Sequence, residues 1–453
     1  MSLPASIADR LRLPVMGSPL FIISNPDLVL AQCKAGIIGS FPSLNARPLS
    51  QLDEWLHRIT EELAAWDRDH PDQPAAPFAV NQIVHRSNDR LEKDLELCEK
   101  YQVPMVITSL GAREEVNQAV HGWGGIVMHD VINDRFGRKA IEKGADGLIA
   151  VAAGAGGHAG TQSPFALIQE LRTWFDGPLA LSGSIASGHS VLAAQAMGAD
   201  LAYIGSMFIA TEEANAAQGY KQMIVDSRAE DIVYSNLFTG VHGNYLAPSI
   251  AKAGLDPANL PESDPSAMNF GSGGDSDKKA WKDIWGCGQG IGAVDAIQSA
   301  GDAIARLADE YDQARRALTA ALRTLPMANI DAWHAVVKTR DPQALSDLIA
   351  DQAVFHSPLV HTPQTGKALT TAYLTAALHV LLNDSFRYVR EVHDGEHSVL
   401  EFALELDGIA VNGVDMIQWD KDGKILDFKV MIRPYKAIEV VRTRMAAMLE
   451  KLK

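Results

Sequence analysis

Short apolar runs recur through the first two thirds of the chain, at 13–16, 37–40, 78–84, 105–109, 125–131, 147–153, 179–184 and 201–208. None alternates with polar residues, which is the pattern of parallel strands buried on both faces. Amphipathic stretches at 52–66, 90–101, 135–143 and 190–197 lie between them. Eight strand–helix units over this length predict an α/β fold, a (β/α)8 TIM barrel rather than an open doubly wound sheet. Residues 256–277, rich in Pro, Gly, Ser and Asp, interrupt the pattern. They read as an exposed loop or lid within a 251–280 insert. Helical periodicity returns over 294–325 and closes a first domain of residues 1–325, with Pro326 as its punctuation.

The texture then changes. Residues 329–350 predict two short helices broken near Asp341-Pro342, followed by a strand at 353–358 and a helix at 367–382. Alternating runs at 386–392, 398–406, 414–419 and 425–432 predict antiparallel strands. Asp394-Gly395, Asp407-Gly408, Asn412-Gly413 and Asp422-Gly423 read as their hairpin or bulge turns. Helices followed by a curved antiparallel sheet describe a smaller α+β cone over 328–453.

Composition narrows the function classes. A formal charge of −16 argues against a nucleic-acid partner. Cys33, Cys98 and Cys287 are odd in number and far apart, as expected of free thiols in a reducing compartment. The first 13 residues mix Asp9, Arg10 and Arg12 with apolar residues, unlike a signal peptide, and no apolar run is long enough to span a bilayer. The expectation is a cytoplasmic protein with no membrane association.

The run Gly154-Ala155-Gly156-Gly157-His158-Ala159-Gly160 carries the strongest chemical signal. It follows the sixth candidate strand, so a barrel places His158 at the mouth where active sites lie. Two small-residue turns follow the seventh and eighth strands, at Gly183-Ser184 and Gly205-Ser206. The loops after these strands are the usual phosphate site of the fold. Their N–H groups, with the start of a helix near Gly188, are a candidate phosphate cradle. Gly154-x-Gly156-x-x-Ala159 with Asp176 also fits a dinucleotide fingerprint, but such motifs open on the first strand and lead straight into a helix. His129 and Asp130 at the fifth strand end are either substrate-side groups or structural ones. His356, Asp415 and Arg433 either line the cone or form ion pairs. His393, Glu396 and His397 sit around a hairpin turn and do not have metal-ligand spacing. Trp281 and Trp285 read as packing residues, and no metal is expected.

These segments resemble the nitronate monooxygenase (2-nitropropane dioxygenase) family. The matching runs are 145–149 into 155–160, Ser182-Gly183-Ser184-Ile185-Ala186, 197–200, 204–213 and 286–292. The resemblance implies an FMN-dependent TIM barrel with His158 as the catalytic histidine. It assigns Gly183, Ser184, Gly205 and Ser206 to the FMN phosphate, and Asn81, Gly156, Gly157, Gln289 and Gly290 to flavin contacts. Asn81 and the segment 289–292 have plain structural readings as well. Where the family has Ala-Pro-Met in its first strand region, this chain has Ser18-Pro19-Leu20. The implied reaction converts an alkyl nitronate or nitroalkane and O2 to a carbonyl compound and nitrite. The same barrel also suits an NAD(P)H-dependent reductase of quinones or enoyl thioesters. Residues 328–453 resemble SnoaL-like (NTF2-like) cones on Phe355-His356-Ser357-Pro358, 365–367, 411–415 and 427–434. Such cones are catalytic, ligand-binding or dimerising, and the last implies a homodimer.

Overall fold

The computed structural model describes residues 3–263, 284–323 and 330–451. Most of the expected 256–277 loop, and Trp281, lie outside these residues. The chain separates into two compact units, 1–316 and 317–453.

In the first unit every candidate parallel strand forms. They are β1 (Val15–Gly17), β2 (Gly39–Pro42), β3 (Phe78–Ile83), β4 (Met105–Ser109), β5 (Ile126–Val131), β6 (Gly147–Val151), β8 (Leu179–Ser182) and β9 (Leu201–Ile204). Between β6 and β8, the two-residue β7 (Gly157–His158) leaves the barrel wall. The sheet runs β1-β9-β8-β6-β5-β4-β3-β2 with all neighbours parallel, and a Met16–Ile38 bridge joins its two ends. The result is a TIM-like barrel.

The absence of alternation has a direct cause in packing. One side of each strand fills the barrel with Met16, Ile38, Ile107, Met128 and Ile149, and the other packs on helices through Phe41, Val80, Val106 and Leu148. Both faces are buried, so both are apolar. The helix Leu49–Asp69 buries only Leu52, Leu56, Ile59 and Leu63, a stripe at three- and four-residue spacing.

A second sheet has no counterpart among the expected strands. β10 (Ile232–Ser235) and β11 (Gly243–Leu246) pair antiparallel, and β11 pairs with β7, so Gly243 faces His158 and Asn244 faces Gly157. The expected helix at 294–325 forms as Ala300–Arg323. Residues 251 and 252 of the expected insert complete the helix Ala247–Lys252.

The second unit holds the helices Ile330–Thr339 and Pro342–Leu348, with Asp341 capping the latter. Its sheet comprises β12 (Ile349–His356), β13 (Gln364–Thr365), β14 (Arg387–Asp394), β15 (His397–Leu406), β16 (Ile409–Trp419) and β17 (Ile425–Arg433), in the order β13-β12-β17-β16-β15-β14. The helix Lys367–Leu381 and the unforeseen helix Tyr435–Lys451 complete this unit. Asp407 and Gly408 adopt positive φ at a tight turn, as expected. Asn412-Gly413 is not a turn, because it lies inside β16. Glycine is needed there because a Cβ would lie 2.2 Å from the Phe402 ring.

Candidate active site

A cleft of about 1570 Å³ opens at the C-terminal ends of the barrel strands. His158, Asn81, Gly156, Gly157, Gly183, Ser184, Gly205, Ser206 and Gly290 all line it. Gln289 is exposed and does not line the cleft; its backbone N–H donates to Gly154 O at 2.9 Å.

The glycine run is packed rather than spacious. A Cβ on Gly154 would meet Ser184 Oγ at 2.2 Å, and one on Gly156 would meet Gly288 N at 2.8 Å. Gly154 O accepts from both Ser184 N and Gln289 N. These glycines therefore let three loops close on one another. A Cβ on Gly157 would have nothing within 4 Å, so the open side of the run lies there, although its φ of +64° still favours glycine.

His158 is held by the second sheet. It pairs across to Gly243, and its Nε2 lies 3.1 Å from Thr239 Oγ1. Thr239 Oγ1 donates to Val241 O at 2.9 Å. A hydroxyl has one hydrogen, so toward His158 it accepts, which assigns the proton to Nε2 and leaves Nδ1 as the basic nitrogen. Burial pushes the His158 pKa down to about 4. The imidazole is thus neutral near pH 7. Asn244 Nδ2 donates to Ala155 O at 2.6 Å and Tyr234 Oη to Ala159 O at 2.9 Å. Thr239, Asn244 and Tyr234 fix the loop, and nothing in their local sequence pattern marks them.

The cradle differs in one respect from expectation. The N–H of Gly188 donates to the Glu310 carboxylate at 2.8 Å, and a Cβ on Gly188 would lie 2.1 Å from Tyr311 N. Ser187 caps the helix Gly188–Met197 through Ser190. That helix start is filled by protein and cannot receive a phosphate. The turns at Gly183-Ser184 and Gly205-Ser206 remain on the cleft, with Gly183 at φ +136° and Ser184 at φ +57°. Ser206 Oγ accepts from Gly288 N at 2.7 Å. The cleft volume and the small polar turns fit a phosphorylated flavin.

Asn81 is buried and spends its amide hydrogens on Ile107 O and Ser109 Oγ, which supports the structural reading while its side chain still borders the cleft. His129 and Asp130 divide. His129 Nδ1 lies 2.6 Å from Thr108 Oγ1, whereas Asp130 Oδ2 accepts from Ser109 Oγ at 2.5 Å. In the cone, His356 pairs with Asp427 at 2.7 Å and Arg433 Nε donates to Asn412 Oδ1 at 2.6 Å. Only Asp415 of the three faces inward, and it accepts from Tyr388 Oη at 3.1 Å. His393 Nδ1 lies 3.0 Å from Ser398 Oγ, and no metal-ligand cluster occurs among the described residues. Trp285 stacks on Tyr220 at 4.9 Å, as a packing residue would.

The nitronate monooxygenase family profile matches residues 8–310, and the SnoaL-like domain profile matches residues 330–428. A nitronate monooxygenase of Paraburkholderia phytofirmans is 25% identical over 292 residues, covering 54% of this chain and 76% of that one. A 5-hydroxy-7a-methyl-1-oxo-octahydroindene-carboxyl-CoA dehydrogenase of Rhodococcus jostii is 23% identical, covering 50% of this chain and 61% of that one. Among the first curated relatives the matched stretch spans 30% to 76% of their length. The solved nitroalkane oxidase of Streptomyces ansochromogenes shares the barrel fold, with a TM-score of 0.57 and 22% identity over 69% of this chain and 99% of that one.

Proposed function

The chain belongs to the nitronate monooxygenase family of flavin-dependent oxidoreductases, and from that premise we propose that it uses FMN and O2 to convert alkyl nitronates to carbonyl compounds and nitrite. The carrying observation is His158, held neutral by burial and fixed by Thr239 on a cleft bordered by the Gly183-Ser184 and Gly205-Ser206 turns. Neutral nitroalkanes enter the same reaction once His158 Nδ1 removes the α-proton, which is general-base work suited to an uncharged imidazole. Gly183, Ser184, Gly205 and Ser206 would hold the FMN phosphate at these two turns, with the Ser184 N–H already committed to Gly154 O. Gly156, Gly157, Asn81 and Gly290 border the rest of the cofactor, while Gln289 holds the loop from outside. When bound, FMN supplies the electron acceptor. The chain's own part is to orient the nitro group, hold the proton on His158 and exclude competing chemistry. Under air, purified protein should release one nitrite for each nitronate consumed. FMN-loaded protein that consumes none contradicts the reading.

The Rhodococcus relative, named as a CoA-thioester dehydrogenase, favours one rival: NAD(P)H-dependent turnover of thioesters on the same barrel. Rapid anaerobic bleaching by NADH, with none by nitronate, would establish the rival. For the second unit we propose a homodimer contact through the outer sheet face. Val392, Val399 and Met416 lie in one cross-strand row there, with Val414 and Met431 in the next, and Val392, Val399 and Met431 are exposed.

A further inference from the structure

The barrel interior is apolar until its last layer. Ala79, Ile107, Met128 and Leu201 fill it. Two residues further along the same four strands come Asn81, Ser109, Asp130 and Tyr203. A period of two keeps a strand's face constant, so these four polar side chains cap the core where the cleft opens. All four line that cleft.

They form a connected row. Asn81 Nδ2 donates to Ser109 Oγ at 2.8 Å, and Ser109 Oγ donates to Asp130 Oδ2 at 2.5 Å. Tyr203 lies within the field of Asp130 and hydrogen-bonds Ser18, one of the positions that departs from the family triplet. Asp130 Oδ1 is buried and has no hydrogen-bond partner. Burial opposes the charge of Asp130 and the Ser109 bond favours it; no cation is among the influences on it. An ionised carboxylate with one hydrogen bond is poorly compensated there, and its field is weakly screened. It opposes any further negative charge entering the cleft unless it takes up a proton. Tyr203 stands two residues before Gly205, so the row reaches the turn assigned above to the FMN phosphate.

We propose that Asp130 is the proton-uptake group of the cleft: as two electrons enter the bound flavin, the Asp130 carboxylate takes one proton from solvent and becomes a neutral acid. The proposal rests on the flavin reading above and makes Asp130 a tuning residue of that cofactor. Burial pushes the Asp130 carboxyl up to about 6, so the ionised form is at rest near neutral pH and uptake is available there. Of the other titratable groups lining the cleft, Tyr203, Tyr220 and the Cys287 thiol are held protonated by burial, and His129 and His158 are neutral; Arg47, His85 and Lys139 also border it. Deprotonated Asp130 disfavours reduction, so the linked proton makes the flavin potential fall more steeply as pH rises above about 6.

The test uses the full-length FMN-loaded protein, reduced anaerobically with dithionite against a redox dye, from about pH 5 to about pH 9. One proton per two electrons changes the equilibrium tenfold per pH unit, or about 30 mV. Wild type should be steeper than Asp130→Asn by about that slope above pH 6, and equal slopes overturn the proposal. Should Asp130→Asn fail to fold, Ser109→Ala serves instead. It removes the one hydrogen bond to the carboxyl, so the onset of the extra slope should move to higher pH, and an unmoved onset overturns the proposal. Wild type that retains no FMN overturns the flavin reading and this inference together. Retained FMN with equal slopes overturns this inference alone.

Discussion

His158 was legible as a residue but not as a state. Its glycine setting and its place after the sixth barrel strand marked it in the sequence. Its protonation depends on Thr239, 81 positions away in the chain, and on burial by a sheet that no local pattern announces. Two consequences can be measured. His158→Asn should keep the flavin bands while nitroalkane turnover falls roughly 10²- to 10⁴-fold, the usual contribution of a general base. Unchanged turnover contradicts the assignment. For wild type, kcat/KM with a neutral nitroalkane should fall only as pH drops toward about 4, because protonation destroys the base and the folded pKa is depressed. An acid limb at or above ~6.5 would show instead that His158 titrates as an ordinary histidine.

At the scale of elements, strands were legible where both neighbours were apolar, since burial on two faces leaves an unmistakable run. The seventh and eighth barrel strands were expected at 179–184 and 201–208 and form as Leu179–Ser182 and Leu201–Ile204. The excess after the seventh strand is the Gly183-Ser184 turn, and after the eighth it is Gly205 and the start of the short helix Ser206–Ile209, which buries Met207 and Phe208. What stayed hidden was set by distant contacts. Gly188 looked like an anion-binding helix start, and only the fold brings Glu310 and Tyr311 against it. Gly413 looked like a turn, and only the sheet register puts the Phe402 ring against it. Asp415 shows the same dependence. It sits on the apolar face of β16, and burial pushes its carboxyl up to about 7. A raised acid contributes stability at low pH that is lost as pH rises through the folded value. Asp415→Asn should therefore stabilise the second unit by about 4 kcal/mol at pH 8, with the gain shrinking as pH falls and gone only below about pH 4. Thermal melts at the two pH values check this, and a gain independent of pH contradicts it.

The whole molecule joins a flavin-dependent barrel to a SnoaL-like unit. The change in texture expected near residue 328, from non-alternating to alternating strands, reflects two sheets buried differently, whereas the compact units divide at 316/317. The parallel barrel strands hide both faces, while β15 and β16 hide one. That leaves an outer face carrying Val399 and Met431. Val399→Glu with Met431→Glu places two charges there, and the double variant should sediment as a monomer while wild type sediments as a dimer. Identical masses contradict the dimer contact. No helix among the described residues is long and apolar enough to cross a membrane.

We propose a single cleft that brings together FMN, His158 and an alkyl nitronate. The most direct test is the visible spectrum of the purified protein, followed by anaerobic addition of an alkyl nitronate. FMN absorption bands should bleach on mixing and return when air is admitted, as nitrite appears. FMN bands untouched by nitronate but bleached by NADH would contradict the proposal.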